Sequence, residues 1–309
     1  MATERRIDKV ASIITERIIG LLKSGTVPWH KTWKGSSMIP KRENGKAYRG
    51  INPFILSCAG YANPYFLTFK KAKELGGDVR PGEKGWPVVF WKPMEIDEKN
   101  AGGQLTGRTK KIFFLRYYTV FNVEQIANLP AKYTDAVKPV GKVSEKARNK
   151  ACDALVKSYK DAPAVEHRGD RAAYSPALDM VRMPAKTAFE GLEEYYSTLF
   201  HELVHSTGHS RRLNREEVTS RQGFGSEGYS KEELVAEMGA AMLCGMAGIE
   251  NRTVDNSAAY IKHWLQKLQD DERFVILAAG CAQKALDHIT GATFGEQQEP
   301  ADKQAVANG

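Results

Sequence analysis

The segment His201-Glu202-Leu203-Val204-His205 constrains this chain more than any other five residues. Tyr195, Leu199 and Leu203 recur at i, i+4 and i+8, which is the core stripe of an amphipathic helix. On such a helix the two histidines lie one turn apart on the same face, so both imidazoles can bind one Zn²⁺. Glu202 would lie beside the open coordination position and take a proton from zinc-bound water. The alternative is a chance match, but the helical setting that the motif requires favours zinc.

A catalytic zinc site needs a third protein ligand, and two continuations of the motif compete. The metzincin pattern H-E-x-x-H-x-x-G-x-x-H accommodates Gly208 but places Arg211, which cannot bind a metal, at its last position. His209 lies two residues too early for that pattern. We therefore expect His209 to be solvated or to contact a zinc ligand rather than to bind zinc itself. The other continuation is a glutamate from a second helix, and the apolar periodicity of residues 230–243 predicts one.

Glu233 and Glu237 lie one turn apart on that second helix. We expect Glu233 to bind zinc and Glu237 to orient a ligating histidine from behind. Two other interpretations stay open. Ser230 and Glu233 also form a capping box, in which Glu233 only accepts a backbone N–H, and Glu232 could equally be a solvated surface charge.

Charge is divided unevenly along the 309 residues, whose net charge is +8. Residues 1–150 carry 28 Lys and Arg against 13 Asp and Glu, or +15, and the remainder carries 17 against 24, or −7. This division indicates a basic binding module joined to a near-neutral or acidic one. Charge alone leaves nucleic acid, anionic lipid and simple solubility open.

Aromatic residues in the basic half favour nucleic acid. Between Pro28 and Phe69 tryptophans, tyrosines and phenylalanines alternate with lysines and arginines, the combination that holds single strands by stacking and phosphate contact. The sequence has no motif of the kinds that read duplex DNA. About half of the aromatic rings should belong to the core rather than contact DNA. The residues predicted to contact DNA are Trp29, Trp33, Lys46, Tyr48, Arg49, Asn52, Lys70 and Lys71.

The patterns predict an α+β protein with two domains and a tail. A mixed α/β DNA-binding domain is expected over residues 1–140, a mainly helical zinc domain over 141–290 and a disordered tail over 291–309. Polar residues 122–151 are expected to form a linker or irregular connection, and residues 174–184 an edge strand that could pair with a peptide. Four scattered cysteines, and the lack of a secretory leader or membrane-spanning run, predict a cytoplasmic protein without membrane contact.

These features together resemble the ArdC-type antirestriction proteins of conjugative plasmids, over residues 5 to 290. The resemblance rests on short ordered blocks: Pro28-Trp29, Tyr48-Arg49-Gly50-Ile51-Asn52, Thr68-Phe69-Lys70-Lys71-Ala72, Val89-Phe90-Trp91-Lys92, Arg116 to Asn122, Tyr174-x-Pro-x-x-Asp179, His201 to His209, Arg212-Leu213 and Glu232 to Glu237. It implies an N-terminal single-stranded-DNA-binding domain, which plasmid primases share, and a C-terminal zincin-like metallopeptidase domain. It also implies protection of incoming plasmid DNA from the host restriction machinery.

Two hypotheses remain from different classes. In the first, the chain binds single-stranded DNA and is a zinc peptidase of unknown protein or peptide substrate, with His201, His205 and Glu233 as ligands and Glu202 as general base. In the second, it protects DNA only by binding, and zinc is structural. A structural zinc normally has four protein ligands, and only three are found here, which argues mildly against the second hypothesis. A weaker third hypothesis attaches a general peptidase to anionic lipid.

Overall fold

A computed structural model of the chain describes residues 2–30, 39–99, 105–134, 143–219, 227–252 and 257–292. The first helix, α1, spans Ala2–Lys23, and Ile14, Ile18 and Leu22 form its buried stripe. Their spacing of four residues places them on one face of the helix. Trp33, which we predicted to contact DNA, and residues 293–309 of the predicted tail lie outside the described part of the chain.

An antiparallel sheet forms the centre of the first domain. Its elements before residue 123 are α2 (Asn52–Ser57), β1 (Phe66–Thr68), α3 (Phe69–Glu74), β2 (Asp78–Val79), β3 (Trp86–Lys99) and β4 (Leu105–Asn122). The order in the sheet is β1-β4-β3, with Thr68 and Trp86 both paired to Val120. Alternate residues of β4, Tyr118 and Val120, are buried on one face against Tyr48. This alternation is what a half-buried strand requires.

Residues 123–134 fold onto the first domain, which corrects the expectation of a linker there. A 3-10 turn (Val123–Gln125), β5 (Ile126–Ala127) and α4 (Ala131–Thr134) follow β4, and β5 pairs with β2. Val123, Ile126 and Tyr133 are buried beside Leu67 and Ala72. Three apolar side chains among polar ones are enough to attach this segment, and the polar composition concealed them.

The second domain is mainly helical. Its elements are α5 (Glu145–Ser158), β6 (Ala164–His167), β7 (Ala173–Ser175), β8 (Met180–Met183), a 3-10 turn (Lys186–Ala188), α6 (Leu192–Ser206), α7 (Glu216–Thr219), α8 (Glu227–Ala247), α9 (Ala258–Asp270) and α10 (Phe274–Thr290). Strand β8 lies between β6, to which it is parallel, and β7, to which it is antiparallel. The single edge strand expected over 174–184 is therefore a hairpin, which turns at Asp179 with a φ of 45°.

The two domains share one hydrophobic core. Helix α1 contacts α9 and α10, and its buried residues belong to the same cluster as Trp264, Phe274 and Val275. Leu115 and Val89 of the sheet join that cluster from the other side of α1. The predicted α+β fold with two domains is confirmed. No helix in the described part of the chain is long and apolar enough to cross a membrane.

Candidate metal centre and its surroundings

Helices α6 and α8 approach each other closely at a glycine. A Cβ atom added to Gly239 would lie 2.7 Å from Cγ2 of Val204, so only glycine allows this separation. Near this crossing, His201 and His205 of α6 face Glu233, which lies six residues before Gly239 on α8. Helix α8 begins at Glu227, so Ser230 is internal and buried. Because Ser230 lies inside the helix and not before its first turn, Ser230 and Glu233 do not form a capping box.

Two imidazoles and one carboxylate converge between these helices. His201 Nε2 lies 3.1 Å from His205 Nε2, and Glu233 Oε2 and Oε1 lie 3.5 and 3.6 Å from those two nitrogens respectively. Ligands about 2.0–2.2 Å from a tetrahedral ion are separated by about 3.3–3.6 Å. Among the described residues, no other group of His, Cys, Asp or Glu side chains has this convergence. The three residues predicted as ligands are therefore brought together at distances close to those of a tetrahedral site, with the two histidine nitrogens slightly nearer each other.

Glu232 supports His205 from behind, a role that we predicted for Glu237. The carboxylate of Glu232 lies 3.1 Å from His205 Nδ1 and accepts hydrogen bonds of 2.8 and 2.7 Å from Nε and NH2 of Arg215. Glu232 and Arg215 are 6% and 8% exposed, so this pair is buried rather than a solvated surface charge. With Nδ1 held in this way, Nε2 of His205 faces the other two donors.

Glu237 instead connects α8 to the first domain, which corrects its predicted role. Its Oε2 accepts a hydrogen bond of 2.9 Å from the indole N–H of Trp29 and another from the hydroxyl of Tyr260. Burial raises the pKa of Glu237 to about 8, although these two donors oppose the shift. Trp29 is 1% exposed, so its predicted stacking on DNA is also corrected. A ring enclosed in the core presents no face to a base.

The charges around the donors favour an additional positive charge. Burial lowers the pKa of His205, but the hydrogen bond with Glu232 and the charges of Glu232, Glu233 and Glu202 raise it to about 9. Burial raises the pKa of Glu233, but its hydrogen bond with His201 and the nearby histidines lower it to about 2. The centre is therefore stabilised by a bound cation or by a proton on His205.

Glu202 lies at the edge strand of the second domain. It is 8% exposed, and its Oε2 accepts the backbone N–H of Tyr174 in β7 at 2.7 Å. Two hydrogen bonds, of 2.8 and 2.9 Å, join Arg212 to the carboxylate of Asp179, which also accepts the Tyr174 hydroxyl at 2.9 Å. Arg212 donates to the Ser206 carbonyl as well, so the β7–β8 hairpin is tied to the end of α6. These hydrogen bonds fix the position of β7 relative to Glu202.

A cavity of about 970 Å³ opens in front of the three donors. Tyr174 borders it on the β7 side, Val218 of α7 lines another wall, and Tyr229 of α8 lies beside Glu233. His209 also lines the cavity but does not belong to the converging donors.

The remaining residues predicted to contact DNA have different environments. Tyr48 is 5% and Asn52 3% exposed, and Asn52 pairs with both backbone groups of Val89, at 2.8 and 2.7 Å. Arg49 forms an ion pair with Asp287 of α10. The prediction is therefore corrected for Tyr48 and Asn52, whose buried side chains cannot reach a strand, whereas Arg49 is engaged between the domains.

The predicted lysines lie at the surface. Lys46 and Lys70 are exposed, and Lys71 is partly exposed and paired with Glu74 at 3.0 Å. Sequence reasoning missed Arg215 and the role of Glu232. The adjacent pair Glu232-Glu233 was the only signal available for the latter, because nothing local distinguishes an inward carboxylate from an outward one.

Comparison with known proteins agrees with this arrangement. Residues 150–281 match the family model of a zincin-like metallopeptidase, and residues 8–121 match that of the N-terminal domain of the anti-restriction factor ArdC. The fold and the site thus define a protein that joins an ArdC N-terminal domain to a zincin-like domain. Crystal structures of the antirestriction protein ArdC from plasmid R388 superpose with TM-scores of 0.70 for the metal-free and 0.71 for the Mn(II)-bound form.

The R388 protein is 38% identical to this chain, and the match covers 90% of this chain and 96% of that protein. The chain belongs to the ArdC family of antirestriction proteins. It is also 36% identical to a DNA primase TraC of Escherichia coli and 32% identical to y4eC, an uncharacterised protein of Sinorhizobium fredii strain NBRC 101917 / NGR234. The match covers 95% of this chain in both cases, but 28% of that primase and 94% of y4eC.

Proposed function

We propose that this chain binds single-stranded DNA through its first domain, holds Zn²⁺ between α6 and α8, and protects incoming plasmid DNA from restriction. The convergence of His201, His205 and Glu233 is the observation that supports the metal centre. Two imidazoles and one carboxylate are a donor set typical of catalytic zinc, and the Mn(II)-bound form of the R388 protein supports a divalent ion in this family. The DNA function rests on the ArdC N-terminal domain and on the basic charge of residues 1–150.

We further propose that the centre hydrolyses peptide bonds. A divalent ion bound there would supply Lewis acidity to a carbonyl group and to water. Glu202 takes a proton from the attacking water and later returns it to the leaving amine. The Tyr174 N–H holds one oxygen of Glu202 and leaves the other for this proton. The β7 edge positions the substrate backbone by pairing with it as an added strand.

Metal binding should raise the stability of the folded chain. We expect Zn²⁺ in 100- to 1,000-fold excess over its Kd to stabilise the chelator-treated protein by about 3–4 kcal/mol, because the three donors converge only in the folded state. The measurement is thermal unfolding with and without Zn²⁺, together with the bound zinc per chain. His201→Ala should abolish most of the shift, and His263→Ala, in α9 and outside the centre, should retain it. Equal shifts in all three proteins would contradict the proposed centre.

The DNA function predicts a preference that lipid binding would not produce. We expect the protein to bind a single-stranded oligonucleotide, with an affinity that decreases steeply between 50 and 200 mM salt because counterions are released. Duplex DNA and vesicles containing anionic lipid serve as comparisons at the same salt concentrations. Stronger binding to the vesicles than to the oligonucleotide would favour the lipid hypothesis instead.

A further inference from the structure

Phe69 is an exposed aromatic residue at the start of α3. Its side chain is 53% exposed, whereas Ala72, about one turn later in the same helix, is fully buried. The side-chain oxygen of Thr68 accepts the Lys71 N–H at 3.1 Å, which fixes the start of α3 and hence the position of the ring. Among the side chains that the structure describes, the large exposed aromatic residues are Phe69 and Tyr117, which is 37% exposed. Neither ring contributes fully to the core.

The pairing of β1 with β4 relates the positions of the two rings. Thr68 pairs with Val120, so Phe69 follows the end of β1 beside β4, and Tyr117 lies three residues before Val120 on β4. Three residues of a strand span about 10 Å. Phe69 and Tyr117 therefore belong to one short stretch of the sheet, of a length that a few nucleotides of one strand can cover.

Positive charge lies beside Phe69 and is common in the segment that contains it. Residues 39–84 contain nine Lys and Arg and four Asp and Glu, a net charge of +5. Lys73 Nζ lies 5.9 Å from the centroid of the Phe69 ring, and Lys70, Arg80 and Lys84 are exposed. Lys71 and Lys73 are paired with Glu74 and Asp78, so these two acids are already balanced. A polyanion is the partner that this charge complements.

We infer that Phe69 and Tyr117 form the base-stacking platform of the first domain, with Lys70 as a phosphate contact. The inference rests on the proposed binding of single-stranded DNA and assigns it to residues other than the buried Trp29 and Tyr48. Flat rings amid positive charge are how a single strand is held with little sequence preference. A lipid surface would need a long apolar face, and α3 has only six residues.

Removing a ring and removing a charge should have different effects. Phe69→Ala should weaken binding of a single-stranded oligonucleotide by about 5- to 150-fold and leave the salt dependence unchanged. Phe69→Trp should retain the affinity, because the stacking surface remains. Lys70→Gln should reduce the slope of log K against log salt by about 0.7, since one phosphate contact is lost. Tyr117→Ala should behave like Phe69→Ala.

An oligonucleotide with abasic sites provides the decisive comparison. With no base to stack, the wild type and Phe69→Ala should bind it equally, and the wild type should bind it more weakly than the intact strand. Leu277→Ala, which truncates an exposed apolar residue of α10, is the matched control and should not change binding. If the wild type and Phe69→Ala bind the intact strand equally well, the stacking platform is wrong, but the proposed binding of single-stranded DNA stands. If the wild type does not bind, the proposed function fails.

Discussion

Glu202→Gln is expected to reduce peptide hydrolysis by about 10²- to 10⁴-fold, the usual contribution of a general base. The amide can still accept the Tyr174 N–H through its oxygen, so the fold around β7 should be retained. It cannot take a proton from water. The assay is cleavage of a mixed peptide library by the zinc-loaded protein, with bound zinc measured in parallel.

The control for this variant is Glu190→Gln, which changes an exposed glutamate before α6 and should have full activity. Zinc content should be the same in the wild type and both variants, because Glu202 is not among the converging donors. Undiminished cleavage by Glu202→Gln would exclude Glu202 from the mechanism. Protection of DNA in cells by Glu202→Gln then separates the two functional hypotheses: equal protection favours binding alone, and loss of protection favours hydrolysis.

Arg215→Ala is expected to destabilise the folded chain by about 3–5 kcal/mol, because it leaves the charge of Glu232 buried without a partner. Burial raises the pKa of Glu232, and the hydrogen bonds from Arg215 and His205 lower it below its ordinary value. Arg215 also donates to Thr207 Oγ1 at 2.7 Å and to the Val204 carbonyl at 2.8 Å. Denaturant unfolding of the zinc-free protein measures the loss without a contribution from metal.

The same change should weaken zinc binding by about 10- to 100-fold, since His205 loses its oriented partner. Arg215→Lys should recover little, because an ammonium cannot form the two parallel bonds that the guanidinium forms with Glu232. Arg168→Ala, at an exposed arginine of the same domain, is the control and should lie within about 0.5 kcal/mol of the wild type. A similar small loss for Arg215→Ala would mean that the buried pair is not needed for stability.

Local periodicity was sufficient to place the two histidines together but not the carboxylates around them. His201 and His205 are one turn apart on one helix, so the sequence alone places them together. Glu233 requires a second helix to cross the first at a particular height. Which carboxylate then faces His205 depends on the rotation of α8, and Glu232 rather than Glu237 has that position. Such a rotation is set by contacts such as Gly239 with Val204, which no single stretch of sequence reveals.

Three predicted DNA contacts, Trp29, Tyr48 and Asn52, were wrong for a different reason. Composition identifies a region rich in rings and cations, but it does not tell a ring that stacks on bases from a ring that fills the core. Trp29 and Tyr48 are buried, whereas Phe69, which was not among the predicted contacts, is exposed. The overall fold was easier to predict, because helices of the second domain follow long apolar patterns. The folding of residues 123–134 onto the first domain was missed because its few buried apolar side chains are scattered among polar residues.

The packing of α1 against α9 and α10 also affects which parts of the gene can be exchanged by recombination. Trp29 contacts Glu237 and Arg49 contacts Asp287, so the beginning of the chain is fastened to segments more than 200 residues away. Transferring one half to another gene without the other would expose apolar surface and separate these pairs. The match with the longer TraC primase accordingly runs across 95% of this chain. Recombination that keeps a working product is thus expected to move the whole unit as one cassette.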